Sequence, residues 1–250
     1  MSRAEIEKII QSDLIGALDL SMFEEADVAN IILQRSRVLY DVPKGGVVIR
    51  NWVAGNTAPL MAVVADKGLD IVRRALAIML IEYRDLRPHL ARFTPKTVAD
   101  IGCGYGFIDL FIARDFDCDL VLIDIEESET RKFGYRNDGA GYSNLGTAKA
   151  FLAANGVRAD AITLVNPRKT DVLATQSIDA AISLLSCGFH YPLSTYSDYL
   201  TRNLRDGGGV IVDIGEKSLA EQMDAITEIG HIADHYFHVK GTNRTVIQRG

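Results

Sequence analysis

Three glycines alternate in the stretch VADIGCGYGFIDLFIA, at Gly102, Gly104 and Gly106, with Asp100 two residues ahead of the first. Bare backbone at this spacing lets a ligand lie against the main chain. An apolar helical run just after it presents free amides and a partial positive charge. A further acid, Asp124, closes the run LVLID, 22 residues beyond Gly102. A carboxylate at a strand tip can accept from both hydroxyls of a ribose. Ile125, next to it, offers an apolar face for adenine. These residues together describe a site for a nucleoside-containing ligand. Phe107 stands where the dinucleotide pattern G-x-G-x-x-G requires its third glycine, and the G-K-[ST] end of a P-loop is absent.

A second group of reactive side chains follows the strand-like run IDAAISLL, in SCGFHYPLSTY. His190 carries an imidazole that unperturbed titrates near ~6.5, so it can take a proton at neutral pH. It equally suits a packing role with its ring bonded to a carbonyl. Tyr191 and Tyr196 are candidate substrate contacts or core residues. Cys187 would be a nucleophile only with a stabilised thiolate, and no pattern supplies one. Trp52, the sole tryptophan, lies in VPKGGVVIRNWVAGNTAPL, which reads as a connecting loop or a substrate-facing segment. His231, His235 and His238 cluster late; on a strand, His231 and His235 share one face and His238 points the other way, so no metal site is expected.

These residues need a scaffold that gathers strand tips. From Thr97 the sequence alternates short β-branched runs with helical patterns. The strand candidates are 97–101, 120–125, 161–165, 178–184 and 210–214, with two more at 236–239 and 245–248. Strands alternating with helices predict an α/β fold, a doubly wound and mostly parallel sheet with helices on both faces. Ligands in such sheets lie beyond the carboxyl ends of the strands. Leu145, Ala148, Phe151 and Leu152 share one helix face that Asn155-Gly156 ends, and Ser218 to Glu221 reads as a capping box opening a helix that Gly230 closes. Leu69, Val72, Leu76, Met79, Leu80 and Tyr83 recur with a helical period, and residues 1–92 are predicted to form a helical N-terminal cap over the substrate pocket. The connection at 126–144 is long for its task and holds Tyr135, Tyr142, Arg131, Lys132 and Arg136. It is expected to cover the ligand edge or to be a plain surface loop, with Tyr142 a candidate substrate contact and the basic residues suited to an anionic acceptor.

ADIGCGYG followed by LVLIDIE resembles motifs I and II of the class I S-adenosylmethionine-dependent methyltransferases, and GGGVIVDI at 207–214 looks like that family's fifth strand. The resemblance covers residues 94–250 and implies a Rossmann-like seven-stranded domain at 93–250. It implies that Asp100 and the turn of Gly102, Cys103, Gly104, Tyr105 and Gly106 hold the methionine part of S-adenosyl-L-methionine, and that Asp124 holds the ribose. It places Asp171 near the adenine amino group, although NPRKT intervenes and a turn-capping role fits equally well. It also puts His190, Tyr191 and Tyr196 near the transferable methyl. His190 is then the candidate general base, since a hydroxyl or ammonium acceptor must lose a proton.

Composition narrows the partners. The net charge is −6, and Lys and Arg never occur more than two in a row, so the concentrated basic surface that nucleic acid demands is not expected. The three cysteines are scattered and read as reduced thiols of a cytoplasmic protein, and no apolar run is long enough to cross a bilayer. The expected partner is a small-molecule acceptor, with methylation of oxygen on a sugar or similar metabolite first and of nitrogen or sulfur next. Homodimerisation is left open. The rival readings are a protein or RNA acceptor, a nicotinamide-dependent oxidoreductase, and a non-catalytic module that keeps the nucleoside pocket.

Overall fold

The computed structural model describes residues 2–126, 143–239 and 241–250. The chain opens with helices α1 (Arg3–Ile10), α2 (Asp13–Gly16), α3 (Glu25–Gln34), α4 (Gly45–Val53), α5 (Ala58–Lys67) and the long α6 (Leu69–Ala91). The sheet-forming part then runs β1 (Thr97–Ile101), α7 (Phe107–Phe116), β2 (Asp119–Ile123), α8 (Leu145–Ala154), β3 (Ile162–Val165), β4 (Ile178–Ser183) and β5 (Ser186–Tyr191). It ends with α9 (Ser197–Asn203), β6 (Leu204–Gly215), α10 (Leu219–Ile229), β7 (His231–Val239) and β8 (Thr242–Gln248). Among the described residues, seven strands form one sheet in the order β3-β2-β1-β4-β6-β8-β7. The pairs from β3 to β6 are parallel, and β8 runs antiparallel to both β6 and β7.

The sheet divides two apolar cores by the two-residue period of its strands. Val98, Leu120, Leu122 and Ile182 face α7, α8 and the N-terminal helices. Ala99, Val121, Ile123 and Ala181 face α9 and α10. The winding reverses between β1 and β4, which leaves a crevice beyond their carboxyl ends. The predicted doubly wound sheet is therefore the observed one. The helices before residue 93 share a core with one of its faces.

A buried ionic cluster fastens α6 to the far side of the sheet. Arg244 on β8, fully buried, donates to Asp213 (2.9 Å), Asp85 (2.8 Å) and Glu82 (3.2 Å). His238 on β7 bonds Glu82 at 2.8 Å, and the Tyr236 hydroxyl donates to Asp85 at 3.0 Å. Burial alone would raise the Glu82 carboxyl, but the His238 bond and the Arg244 charge bring it down to about 2. Two of the clustered histidines thus serve structure: His238 here, and His235 through Thr245 at 2.9 Å.

Several local expectations need correction. The segment 42–60 is not a loop. It contains α4, whose Val48 and Trp52 stand one helical turn apart and are both buried. β5 was not anticipated, because SCGFHY carries too few β-branched residues to signal a strand. Ser218 does precede α10, but its side chain makes no cap hydrogen bond.

Candidate functional site

The glycine turn joins β1 to α7. Gly102, Gly104 and Gly106 all adopt positive φ, at 82°, 60° and 68°. At Gly102 a Cβ would overlap the Ser186 hydroxyl at the start of β5, so that position admits only glycine. The turn is tied to the neighbouring strand tip: the Gly102 amide donates to the Ile123 carbonyl (2.8 Å), and the Gly104 amide to Asp124 Oδ2 (2.9 Å). Asp124 stands just past β2. Its Oδ1 also accepts from the Glu126 amide (2.9 Å) and the Ser143 hydroxyl (2.7 Å). A carboxylate has about four acceptor sites, so these donors leave room on Oδ2 for one more. Burial raises the Asp124 carboxyl against the pull of those bonds.

Two further acids lie beneath the turn. Asp100 is 4% exposed and Asp109, in the first turn of α7, is fully buried. Neither Asp109 oxygen has a partner in good hydrogen-bond geometry. Burial pushes Asp109 up to about 7, and burial together with the Asp109 carboxyl raises Asp100 well above the carboxylate range. The two titrate as a pair, with burial holding both above the free carboxyl.

A cavity of about 750 Å³ opens over this turn. Its lining includes Asp124 and Ile125 past β2, Pro167 and Val172 past β3, Gly102 and Gly104 past β1, Ser186 of β5, Val239 of β7 and Thr242 of β8, with Arg35 after α3 and Met79 of α6. Helix α3 closes the cavity from above. Its Gln34 side chain lies 3.2 Å from where a Gly104 Cβ would be, and the Tyr105 hydroxyl anchors the turn to α3 by donating to Asp27 (2.9 Å).

His190, Tyr191 and Tyr196 all line the cavity. The half-buried His190 ring packs edge-on to Phe189, and burial lowers its pKa, so it is a neutral imidazole at pH 7. Tyr191 shares a 3.0 Å hydrogen bond with Ser186, and burial raises both tyrosines, which stay protonated. Burial pushes Cys187 up to about 12, and it remains a thiol.

A strand-tip glycine turn, an acid at the next strand tip, and this strand order define a known architecture. The fold is that of the class I methyltransferases. Solved structures similar to the chain include geranyl diphosphate C-methyltransferase from Streptomyces coelicolor A3(2), in complex with Mg2+, geranyl diphosphate and S-adenosyl-L-homocysteine. It is 12% identical, with a TM-score of 0.54 over 72% of this chain and 83% of that one. The StiE O-MT is 13% identical, with a TM-score of 0.51 over 71% and 76%. A protein from Nostoc punctiforme PCC 73102, provisionally described as an O-methyltransferase, is 14% identical with a TM-score of 0.50. That match covers 72% of this chain but only 59% of the other, under two thirds of its length. No protein-family model matches the chain, and no curated protein matches it by sequence.

Within this methyltransferase fold, Asp100, Gly102, Cys103, Gly104, Tyr105, Asp124 and Ile125 are brought together around one cavity, and Gly106 caps α7 beside them. Two candidates fall elsewhere. Asp171 is exposed, and its carboxylate accepts from the Leu173 amide at 2.9 Å, which caps a short turn; Pro167 and Val172 line the cavity that Asp171 was expected to reach. Trp52 is 6% exposed within the N-terminal core, because α4 turns it inward. Tyr142, with Tyr135, Arg131, Lys132 and Arg136, lies outside the described residues. Sequence reading missed Ile31, Gln34, Arg35 and Met79. The helical period marks α6, but nothing local says which residues of α3 and α6 line a cavity whose glycine turn comes 23 to 71 residues later. Among the described residues no cluster of His, Cys, Asp or Glu could hold a metal ion, and no helix is long and apolar enough to cross a membrane.

Proposed function

We propose that the chain is an S-adenosyl-L-methionine-dependent methyltransferase of the cytoplasm that acts on a small-molecule acceptor. The observation that carries this reading is the bare turn at Gly102, bonded through Gly104 to an Asp124 that keeps an acceptor site on Oδ2, at the floor of the 750 Å³ cavity. Asp124 Oδ2 takes one ribose hydroxyl. Ile125, Pro167 and Val172 receive the adenine. The turn from Gly102 to Gly106 lies under the amino-acid part, with Asp100 close to its ammonium group.

When bound, the cofactor supplies a sulfonium-activated methyl carbon. The chain's own work is to place an acceptor in line with that carbon and keep water out. Helix α3 and the Tyr191–Tyr196 pair enclose the space next to Ser186. His190 can remove the proton of a hydroxyl acceptor, because burial keeps its imidazole neutral at pH 7.

Oxygen methylation of a sugar or similar metabolite is the favoured reaction. The StiE and Nostoc neighbours are described as O-methyltransferases. The complex of the Streptomyces neighbour with geranyl diphosphate supports a small acceptor over a polymer, as does the net charge of −6. The test incubates the protein with methyl-labelled cofactor and fractionated cell extract. Label in a low-mass metabolite supports the reading. Label confined to protein or RNA overturns the small acceptor, and label nowhere despite cofactor binding leaves a binding module.

A further inference from the structure

Arg35 follows the last residue of α3 and lines the cavity. Two other buried arginines are saturated. Arg244 bonds Asp213, Asp85 and Glu82, and Arg74 bonds both oxygens of Asp41 and the Val38 carbonyl. Arg35 differs. Among the described residues, no carboxylate lies within ion-pair distance of its guanidinium and no acceptor within hydrogen-bond distance. Burial lowers its pKa, and the fields of Glu82 and Asp213, whose oxygens are already occupied by Arg244, offset that only in part. A guanidinium left with donors open to a cavity is matched to a planar or tetrahedral oxyanion.

The strand order says which ligand meets it. Asp124 marks the β2 tip. Arg35 lies within electrostatic reach of Asp213 on β6, and β6 stands three strand spacings from β2 in the order β2-β1-β4-β6, or about 14 Å at 4.7–4.9 Å each. Asp124 past β2 would hold the nucleoside and the glycine turn past β1 its amino-acid part. The space over β6 and β8 then belongs to the acceptor. Its walls there are apolar: Ile31, Ala75, Met79 and Val239.

Building on the methyltransferase reading, we propose that the acceptor carries a carboxylate or phosphate group, and that Arg35 is the specificity-determining residue that receives that oxyanion. The oxyanion enters a pocket already short of one acceptor, so the gain is in orientation as well as affinity: one end of the acceptor is pinned, and its nucleophile is set beside His190.

The test uses the full chain loaded with S-adenosylhomocysteine and titrates in inorganic pyrophosphate and, separately, benzoate, by calorimetry. At least one is expected to bind saturably, and which one tells phosphate from carboxylate. Arg35→Gln should weaken that binding roughly ten- to hundredfold, the worth of a lost charge-assisted hydrogen bond. Arg35→Lys should lose less, and both variants should bind S-adenosylhomocysteine within about twofold of the parent, which also shows that they are folded. Saturable binding to neither anion overturns the proposal, as does equal binding by Arg35→Gln. A parallel loss of S-adenosylhomocysteine affinity overturns it too, since the guanidinium would then serve the cofactor's own carboxylate. Failure of the parent chain to bind S-adenosylhomocysteine removes the methyltransferase reading and this inference together; intact binding without an anion site removes this inference alone.

Discussion

At the scale of single residues, the site combines backbone that must be bare with carboxyls that must not all be charged. Gly102→Ala forces a side chain into positive φ and onto Ser186, and should cost about 1–3 kcal/mol in thermal denaturation. The Asp100–Asp109 pair sets a pH signature. The folded chain holds Asp109 up to about 7 against 3.8 for a free carboxyl, so the folded state binds more protons than the unfolded one over that range. Stability attributable to Asp109 is therefore complete below pH ~3.8 and declines as pH rises toward 7. Asp109→Asn, neutral at every pH, should be more stable than the parent at pH 8 and lose that advantage at pH 4, by denaturant titration at both values. Equal pH dependence in both proteins would mean that Asp109 finds a partner in solution. His190→Gln is expected to lower kcat roughly 10²–10⁴-fold once an acceptor is in hand, with S-adenosylhomocysteine affinity unchanged. In the parent, the acid limb of the pH profile should lie below the usual histidine value, because burial lowers the His190 pKa.

Among the elements, α6 is held to the sheet by charge as well as by apolar packing. Arg244→Met leaves Asp213, 1% exposed, buried without its counter-ion, and should destabilise by about 3–5 kcal/mol. The partner carboxyl Glu82, held near 2 against 4.5, stabilises the fold fully above pH ~4.5, and that contribution is lost as pH falls toward 2. Acid unfolding followed by circular dichroism should therefore begin earlier in Glu82→Gln than its loss of neutral-pH stability alone explains. The element scale also shows what the sequence made legible. β1, β2 and α7 were readable because β-branched runs, glycines and an apolar helical period coincide within 27 residues, from Thr97 to Ile123. Asp124 could be placed at a strand tip for the same reason. α4 escaped because its two glycines look like a turn, although Val48 and Trp52 repeat at helical spacing. β5 escaped because what holds it extended is tertiary: Gly188 presses against Val212 and Asp213 of β6.

At the scale of the whole molecule, the crevice is a product of chain topology, and its contents come from segments far apart in sequence. The glycine turn and Asp124 are local enough to read. Arg35 and Met79 belong to the cavity only because α3 and α6 fold back over strands that begin after them, a relation no short-range pattern encodes. For Asp171 and Trp52 the structure shows the packing alternative that the sequence also offers: one caps a turn and the other is buried in a core. Whether the crevice holds an adenosyl cofactor through the turn and Asp124 is decided by calorimetric titration of S-adenosylhomocysteine into the parent chain and into Asp124→Ala. One saturable site is expected in the parent, with binding at least roughly tenfold weaker in the variant. No binding to the parent, or equal affinity in the two proteins, would contradict that placement of the cofactor.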